Sequence, residues 1–311
     1  MSFVARGVAP RLNDEVSAAL ADGLPVVALE TTLVSHGFSA GRGLEAAVES
    51  ERRVREAGAV PATIGVLDGE IRVGLDGAEL DRFAAAGTAA RKVGARDIAA
   101  CLVQGAIGST TVGGTLAVCR LAGISFMATG GLGGVHRGFA ESPDISADLP
   151  QLARTPVLVV SSGAKSILDV PATSELLETL AVPVLGWQTP TLPLFYTAEG
   201  GPPVSAVVST SEEAASVARA HWAINPGGGL LLARPPADGL EIEELIAAAV
   251  RQVSDRGITG QAVTPAVLAL IEDLSDGRSV EVNRALIADN AGLAAEVAAA
   301  YAVLANHGHS C

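Results

Sequence analysis

The stretch Thr155–Ser174, TPVLVVSSGAKSILDVPATS, constrains the fold of this chain more than any other. Its run Val157–Val160 is continuously apolar and rich in valine, which is typical of a strand buried on both faces of a parallel sheet. Ser161–Gly163 interrupt the run, and Ala164–Leu168 is predicted to begin a helix. Because such a strand must be covered by helices on both faces, the stretch favours an α/β protein.

This prediction places Lys165 at a strand-to-helix turn. A helix N-terminus carries partial positive charge, which disfavours an ammonium by about 0.3–1 kcal/mol. That field, together with burial, would lower the pKa of a lysine towards values at which the free amine is populated, as nucleophilic or Schiff-base chemistry requires. A lysine that reaches into solvent on its flexible stem is an equally good interpretation of this position alone.

Apolar runs alternate with helical patterns along the rest of the chain. Strands are predicted at Pro25–Leu29, Ala62–Leu67 and Ile124–Met127, and a long helix from Val280 to about Leu304. The alternation predicts a single α/β domain over residues 1–311, a three-layer α/β/α sandwich with a central, mostly parallel or mixed sheet.

Composition limits the functions that such a domain can have. The formal net charge of −13 argues against a nucleic-acid partner, so an anionic substrate must be met by a local basic pocket. Cys101, Cys119 and Cys311 are widely spaced and suggest neither a disulfide framework nor a zinc site. No window has about 18 uninterrupted apolar residues, and the first twenty residues lack a signal-peptide pattern. We therefore expect a soluble, cytoplasmic protein with no membrane partner.

Two charged residues, Glu30 and Lys92, are candidates for chemistry. Glu30 follows the strand Pro25–Leu29, and a carboxylate at that end of a buried strand points into the crevice where α/β proteins bind ligands. A buried glutamate satisfied by backbone amides or an ion pair is the alternative. Lys92, in the pair Arg91-Lys92, could clamp a phosphate, although exposed basic pairs are common.

Two glycine-rich segments resemble nucleotide-binding motifs but depart from them. GAIGSTTVGGT, which contains Gly113, has Gly114 where a P-loop needs lysine. In TGGLGGVHRG, His136 stands at the last glycine position of G-x-G-x-x-G. Neither an ATP-binding P-loop nor a Rossmann dinucleotide site is therefore expected.

The acidic segment Glu141–Asp148 supplies hard oxygen ligands. Mg²⁺ or Mn²⁺ is commonly held by one or two carboxylates with water completing the coordination shell. Since Asp148 precedes Leu149-Pro150 as a good helix N-cap, the metal is assigned first to Asp144.

With these segments in hand, the chain resembles the pseudouridine-5′-phosphate glycosidases, a family that includes indigoidine synthase A-like proteins. The resemblance runs from about Pro25 to Tyr301. It rests on several motifs that occur in order: LETTLVSHG, PATIGVLDG, ARKVGARD, GSTTVGGT, TGGLGGVHRG, SPDISADL, VSSGAKSILD, ITGQAVTP and the helix around Asn283. Departures from the family pattern are Phe38–Gly41, where a proline-containing segment is expected, and Thr31-Thr32 in place of serine-threonine.

The resemblance implies reversible cleavage of pseudouridine 5′-phosphate to uracil and ribose 5-phosphate by a homotrimer that uses a divalent ion, usually manganese. It implies that Lys165 is the nucleophile, Glu30 the proton donor and Asp144 the metal ligand. Substrate contacts are implied for Lys92, Val112, Ser146, Ala147, Asp148, His136 and either Asn283 or Asn290.

The chemistry of the bond agrees with these roles. Uracil bound through carbon is a far poorer leaving group than an N-linked base, so an electron sink is required. An imine between Lys165 and C1′ of an opened ribose supplies that sink, while an acid such as Glu30 handles the proton. A Mg²⁺-dependent phosphosugar kinase, which would need ATP, and a non-enzymatic sugar-phosphate-binding protein are the alternatives.

Overall fold

The computed structural model describes residues 8–38, 41–141, 143–258 and 263–307. Within these ranges the strands form one mixed sheet. The strands are β1 Arg11–Leu12, β2 Val26–Glu30, β3 Val60–Leu67, β4 Glu70–Val73, β5 Arg91–Val93, β6 Gly108–Thr110, β7 Phe126–Ala128, β8 Leu158–Ser161, β9 Val184–Trp187, β10 Ala206–Val208 and β11 Leu230–Ala233.

Helices connect most of these strands. They are α1 Asp14–Ala21, α2 Thr32–His36, α3 Arg42–Glu56, α4 Gly77–Ala86, α5 Ile98–Val103, α6 Val112–Ala122, α7 Asp148–Ala153, α8 Val170–Thr179, α9 Ser211–Ile224, α10 Glu243–Asp255, α11 Val263–Leu274 and α12 Arg278–His307.

The sheet runs in the order β1-β4-β3-β2-β7-β8-β11-β9-β10, and β6 joins β3 to β5. Neighbours are parallel except β3 with β4 and β3 with β6. The hairpin of β3 and β4 turns at Asp68-Gly69, where both residues have positive φ. The predicted mostly parallel or mixed sheet is confirmed.

Side chains of the central strands alternate between two cores because successive residues of a strand face opposite sides. Val26 and Ala28 of β2 lie in one core, together with residues of α1, α6, α7 and α8. Val27 and Leu29 lie in the other, against α9 and α12. The sandwich therefore has three layers, as predicted.

The long helix α12 is the one described helix whose length and composition would allow it to cross a membrane. It packs against α3 and α9, and over half of its apolar window is buried inside the protein. The helix therefore behaves as a core element of the sandwich.

The helix expected at Ala164–Leu168 is wrong. The chain leaves β8 as a loop, and α8 begins only at Val170, because Asp169 caps that helix by accepting a hydrogen bond from Ala172 N at 3.0 Å and Pro171 occupies its first turn. Lys165 therefore lies in a loop before the helix and not at a helix N-terminus.

Candidate active site

The site lies where the carboxyl ends of β2, β7 and β8 meet. Glu30 is the last residue of β2, Thr129 follows β7, and Lys165 follows β8. Backbone pairing fixes the last loop, since Lys165 N donates to Leu132 O at 3.0 Å and Leu132 N donates to Gly163 O at 2.9 Å. Glu30 and Lys165, which follow strands far apart along the chain, therefore lie in one site.

Gly163 makes the turn that carries the chain from β8 to Lys165. Its φ is +77°, and a Cβ at this position would lie 2.0 Å from Pro193 O. Both the conformation and the close approach require glycine.

Glu30 is a buried carboxyl, 5% exposed, which accepts a hydrogen bond from Thr129 Oγ1. Burial raises the pKa of Glu30, whereas the charge of Lys165 and the Thr129 hydrogen bond oppose the increase. The charge of Asp148 raises this pKa further, and Lys92 lowers it. The net effect keeps the proton on Glu30 to higher pH than usual, as a proton donor requires.

The chain has two lysines, Lys92 and Lys165, among 21 basic residues, and both face the same site. Burial lowers the pKa of Lys92, and the like charge of Lys165 lowers it further. Arginine cannot be deprotonated in proteins, so lysine is the basic side chain that can become a nucleophilic amine. The sequence shows that the chain has two lysines, and sequence reasoning missed this signal.

Two cavities meet at these lysines. The inner chamber, about 70 Å³, is lined by Glu30, His36, Lys92, Thr129, Lys165 and Asn283, with apolar neighbours. The outer chamber, about 310 Å³, is lined by Lys92, His136, Asp144, Lys165 and the segment Ser146–Asp148. The inner chamber has the more apolar lining, whereas the charged and hydroxyl side chains of the outer chamber suit a charged, hydrated group.

Asp148 links segments beside the outer chamber through hydrogen bonds of its carboxylate. It was predicted to cap a helix, but it is the first residue of α7, and Ala147 occupies the cap position. Its two carboxylate oxygens instead accept hydrogen bonds from Gly113 N at 2.8 Å and Gly133 N at 3.1 Å. Asp148 thereby joins both glycine-rich segments to the acidic segment.

The N-terminus of α6 lies beside this wall. Thr111 lines the outer chamber and caps the helix by accepting a hydrogen bond from Gly114 N at 3.2 Å. Val112, whose side chain is fully buried, is the first residue of α6. Val112 lines neither chamber, so it is Thr111 that presents this helix N-terminus to the outer chamber.

Asp144, the predicted metal ligand, has His136 as its acidic-or-histidine neighbour. His136 Nε2 lies 4.0 Å from Asp144 Oδ2, and burial lowers the pKa of His136. Among the described residues, no three acidic, histidine or cysteine side chains converge as a metal site. The half-exposed Asp144 carboxylate therefore fits an ion that keeps most of its water, as Mg²⁺ and Mn²⁺ do.

The two asparagines of α12 have different environments. Asn283 lines the inner chamber, and its Oδ1 is buried with no hydrogen-bond partner among the described residues. Asn290 is fully buried away from the chamber, and its Nδ2 donates to Thr129 O at 2.9 Å and to Ser162 Oγ at 3.1 Å. Asn283 is therefore placed to meet a ligand, and Asn290 joins the ends of β7 and β8.

Sequence reasoning also left other contributors out. Thr129 was passed over in favour of the glycines that follow it, although its position directly after a strand was a signal. His36, within the motif LETTLVSHG, is half-buried and lines the inner chamber, and burial lowers its pKa.

Comparison with known proteins assigns the chain to a family. The sequence model described as indigoidine synthase A like protein matches residues 15–300. The chain belongs to the indigoidine synthase A-like family. Relatives named pseudouridine-5′-phosphate glycosidase include one from Streptomyces griseus subsp. griseus, 49% identical over 94% of this chain and 92% of the relative. Another, from Chloroflexus aurantiacus, is 48% identical over 93% of this chain and 97% of its own length.

Two solved structures share the fold of this chain. The prealnumycin C-glycosynthase AlnA in complex with ribulose 5-phosphate superposes with a TM-score of 0.88 at 39% identity, covering 97% of this chain and 99% of AlnA. An indigoidine synthase A-like protein from Thermotoga maritima gives 0.85 at 33% identity, covering 94% and 96%. The chain is thus similar in sequence and fold to an enzyme named as a C-glycosynthase.

Proposed function

We propose that this chain is a pseudouridine-5′-phosphate glycosidase that reversibly cleaves the C–C glycosidic bond to uracil and ribose 5-phosphate. One observation carries the proposal: the chain's two lysines face one site that also contains a buried carboxyl, Glu30, whose pKa is raised by burial. The names of relatives that match nearly the whole chain support the same activity.

The residues supply what the cleavage needs. The amine of Lys165 adds to C1′ as the C1′–O4′ bond breaks, and a proton passes from the amine to O4′. The nitrogen lone pair then forms the C1′=N bond, while the electrons of the C–C bond pass to uracil and C5 accepts a proton from Glu30. Water hydrolyses the imine, which regenerates Lys165 and releases ribose 5-phosphate. The sum is one water consumed per bond cleaved.

The phosphate is assigned to the outer chamber. Lys92, Arg96 and Lys165 line it together with the segment Ser146–Asp148, and these basic side chains supply the positive charge that an anion needs in an acidic protein. Asp144 would hold a hydrated Mn²⁺ or Mg²⁺, which offsets negative charge when bound. Asn283 would meet the base in the inner chamber, with His136 at the outer rim.

Reductive trapping tests the nucleophile. The protein is incubated with ribose 5-phosphate and borohydride, and the adduct is mapped by peptide mass spectrometry. We expect the adduct on Lys165 and none in Lys165→Arg. Since Lys92 and the chain's N-terminal amine are the alternatives, an adduct on either of them during turnover would reject Lys165.

A uracil-release assay tests the activity and the metal together. We expect release from pseudouridine 5′-phosphate without ATP, lower after treatment with EDTA and restored by Mn²⁺. Strict ATP dependence would favour the kinase, and binding of ribose 5-phosphate without uracil release would favour a sugar-phosphate-binding protein.

We also infer from the resemblance a homotrimer that works in the cytoplasm. Light scattering measures the oligomeric state, and a monomer would reject this inference. The buried free thiols Cys101 and Cys119 support a reducing compartment. Cys311 lies outside the described residues.

A further inference from the structure

We propose that Phe195 is a positioning residue for the nucleophile: its ring holds the side chain of Lys165 in the orientation that attacks C1′. This inference rests on the proposed function and adds a residue to it. Phe195 is buried and lines the inner chamber together with Lys165.

The backbone of Phe195 has a conformation that phenylalanine rarely adopts. Its φ is +68°, and Tyr196 N donates to Leu194 O at 2.9 Å, which makes Phe195 the central residue of a γ-turn. Such a turn with positive φ is rare and strained, and strain of this kind persists where the surrounding contacts fix it, often at functional sites. Glycine would adopt this turn freely, so phenylalanine at this position points to a role for its ring.

Hydrogen bonds join this turn to the loop that carries Lys165. Phe195 N donates to Ser162 O at 3.1 Å, and Leu194 pairs with Gly163 in an isolated antiparallel bridge. The turn and the nucleophile therefore belong to two segments that are paired with each other, and the ring has a fixed place relative to the backbone of the lysine.

Gly131 provides the space in which the ring and the lysine stem approach each other. A Cβ at this position would lie 2.7 Å from Phe195 Cδ2 and 3.3 Å from Lys165 Cγ. The edge of the ring and the stem of the lysine therefore lie on the same side of Gly131, where a side chain would otherwise separate them. The φ of Gly131 is not positive, so the close approach is the reason why glycine is needed here.

A fixed stem matters because the lysine amine stands on a flexible four-carbon chain. Attack requires the nitrogen to lie about 3–3.5 Å from C1′ in the correct direction, and a misplacement of about 1 Å can slow a reaction about 100-fold. A ring against the stem restricts its orientations without adding a charge or a hydrogen-bond partner, so the amine stays free to react. Loss of the ring should therefore slow attack more than it weakens binding.

Reductive trapping with ribose 5-phosphate and borohydride separates positioning from folding. The fraction of protein that carries the adduct at completion counts the folded sites, whereas the rate of trapping per site reports attack by Lys165. In Phe195→Ala we expect the fraction to match that of the unchanged protein and the rate per site to fall by about 10–100-fold. In the uracil-release assay kcat should fall similarly, while KM stays nearly unchanged.

Phe195→Gly separates the ring from the strained backbone, because glycine adopts the turn without strain. It should be as slow as Phe195→Ala, and recovery of the trapping rate would assign the loss to the backbone and overturn the inference. Gln188 is the matched control, since its φ is +55°, it is exposed and it lines neither chamber. Gln188→Ala and Gln188→Gly should leave the rate per site unchanged.

A double-mutant cycle tests the approach at Gly131. Gly131→Ala fills the space between the ring and the stem, so we expect it to slow trapping. In the double variant with Phe195→Ala the loss should be smaller than the product of the two single losses, because both residues act on the same contact.

Two outcomes would overturn the inference while leaving the proposed function intact. One is a rate per site in Phe195→Ala equal to that of the unchanged protein, and the other is independent, multiplicative effects in the cycle. Absence of both the adduct and uracil release in the unchanged protein would instead reject the proposed function and this inference together.

Discussion

Burial and the neighbouring charge of Lys165 act in opposite directions on the pKa of Glu30. Burial favours the neutral carboxyl, while the charge of Lys165 favours the carboxylate, and the net pKa of Glu30 stays raised. An acid that keeps its proton beside an amine can deliver that proton at the moment the C–C bond breaks. We therefore assign the nucleophilic step to Lys165 and the proton transfer to Glu30.

Replacing Glu30 separates these steps. In Glu30→Gln we expect kcat for uracil release to fall by about 10²–10⁴-fold, because the proton donor is lost. Trapping of ribose 5-phosphate on Lys165 should persist, because the amine remains. Circular dichroism checks the fold, and turnover comparable to that of the unchanged protein would contradict the role of Glu30.

Thr129 gives a prediction for pH dependence. Its hydroxyl donates to Glu30 and lowers the pKa of that carboxyl, so Thr129→Val should raise the pKa further. The protonated form is the working acid, so activity is present below this pKa and lost above it. The alkaline limb of the kcat profile should therefore move to higher pH.

A matched threonine controls for loss of a hydroxyl. Thr179 is exposed on α8, its Oγ1 donates to Glu175 O at 2.9 Å, and it lines neither chamber. Thr179→Val should leave the profile unmoved. A shift of the alkaline limb to lower pH in Thr129→Val would contradict the argument.

Single residues were predictable where their chemistry is local. Glu30 and Lys165 stand at the ends of apolar runs, so residue type and position were enough to single them out. Thr129 lies 99 positions from Glu30 along the chain. Asn283 differs from Asn290 in that its buried Oδ1 has no hydrogen-bond partner among the described residues. Both facts depend on tertiary contacts that no local pattern contains.

At the scale of elements, strands were predicted more reliably than the connection that carries Lys165. Apolar runs identify β2, β3 and β7 because burial on both faces leaves a continuous signal. The loop after β8 resembled a helix start in its local sequence. Its course is instead decided by pairing with residues 130–132, which lie on another segment.

Gly163 makes the importance of this loop testable. Gly163→Ala places a Cβ against Pro193 O at a φ of +77°, so we expect a loss of stability of about 1–3 kcal/mol and loss of trapping on Lys165. Gly123 has a similar φ, +75°, with nothing within 4 Å of its added Cβ. Gly123→Ala is therefore the control for backbone strain alone, and denaturant unfolding measures both. Equal losses would contradict the role of the close approach.

At the scale of the whole molecule, the class of fold was predictable but the strand order was not. Alternating strands and helices need a sheet covered on both faces, whatever the order of strands. The order decides that β2, β7 and β8 are neighbours, and hence that their ends form one site. That adjacency depends on long-range packing, in which α12 covers one face of the same three strands.

Asp289 tests how α12 is fixed to the sandwich. Its carboxylate contacts Arg53 of α3 at 2.6 Å and Arg234, just after β11, at 3.1 Å, and its side chain is 18% exposed. Asp289→Ala leaves two partly buried guanidinium groups without this partner, so we expect the free energy of unfolding to fall by more than about 1 kcal/mol. Glu45→Ala removes the exposed pair with Arg284 and should cost about 0–1 kcal/mol. Guanidinium unfolding measures both variants, and a smaller loss at Asp289 than at Glu45 would show that other contacts hold α12 in place.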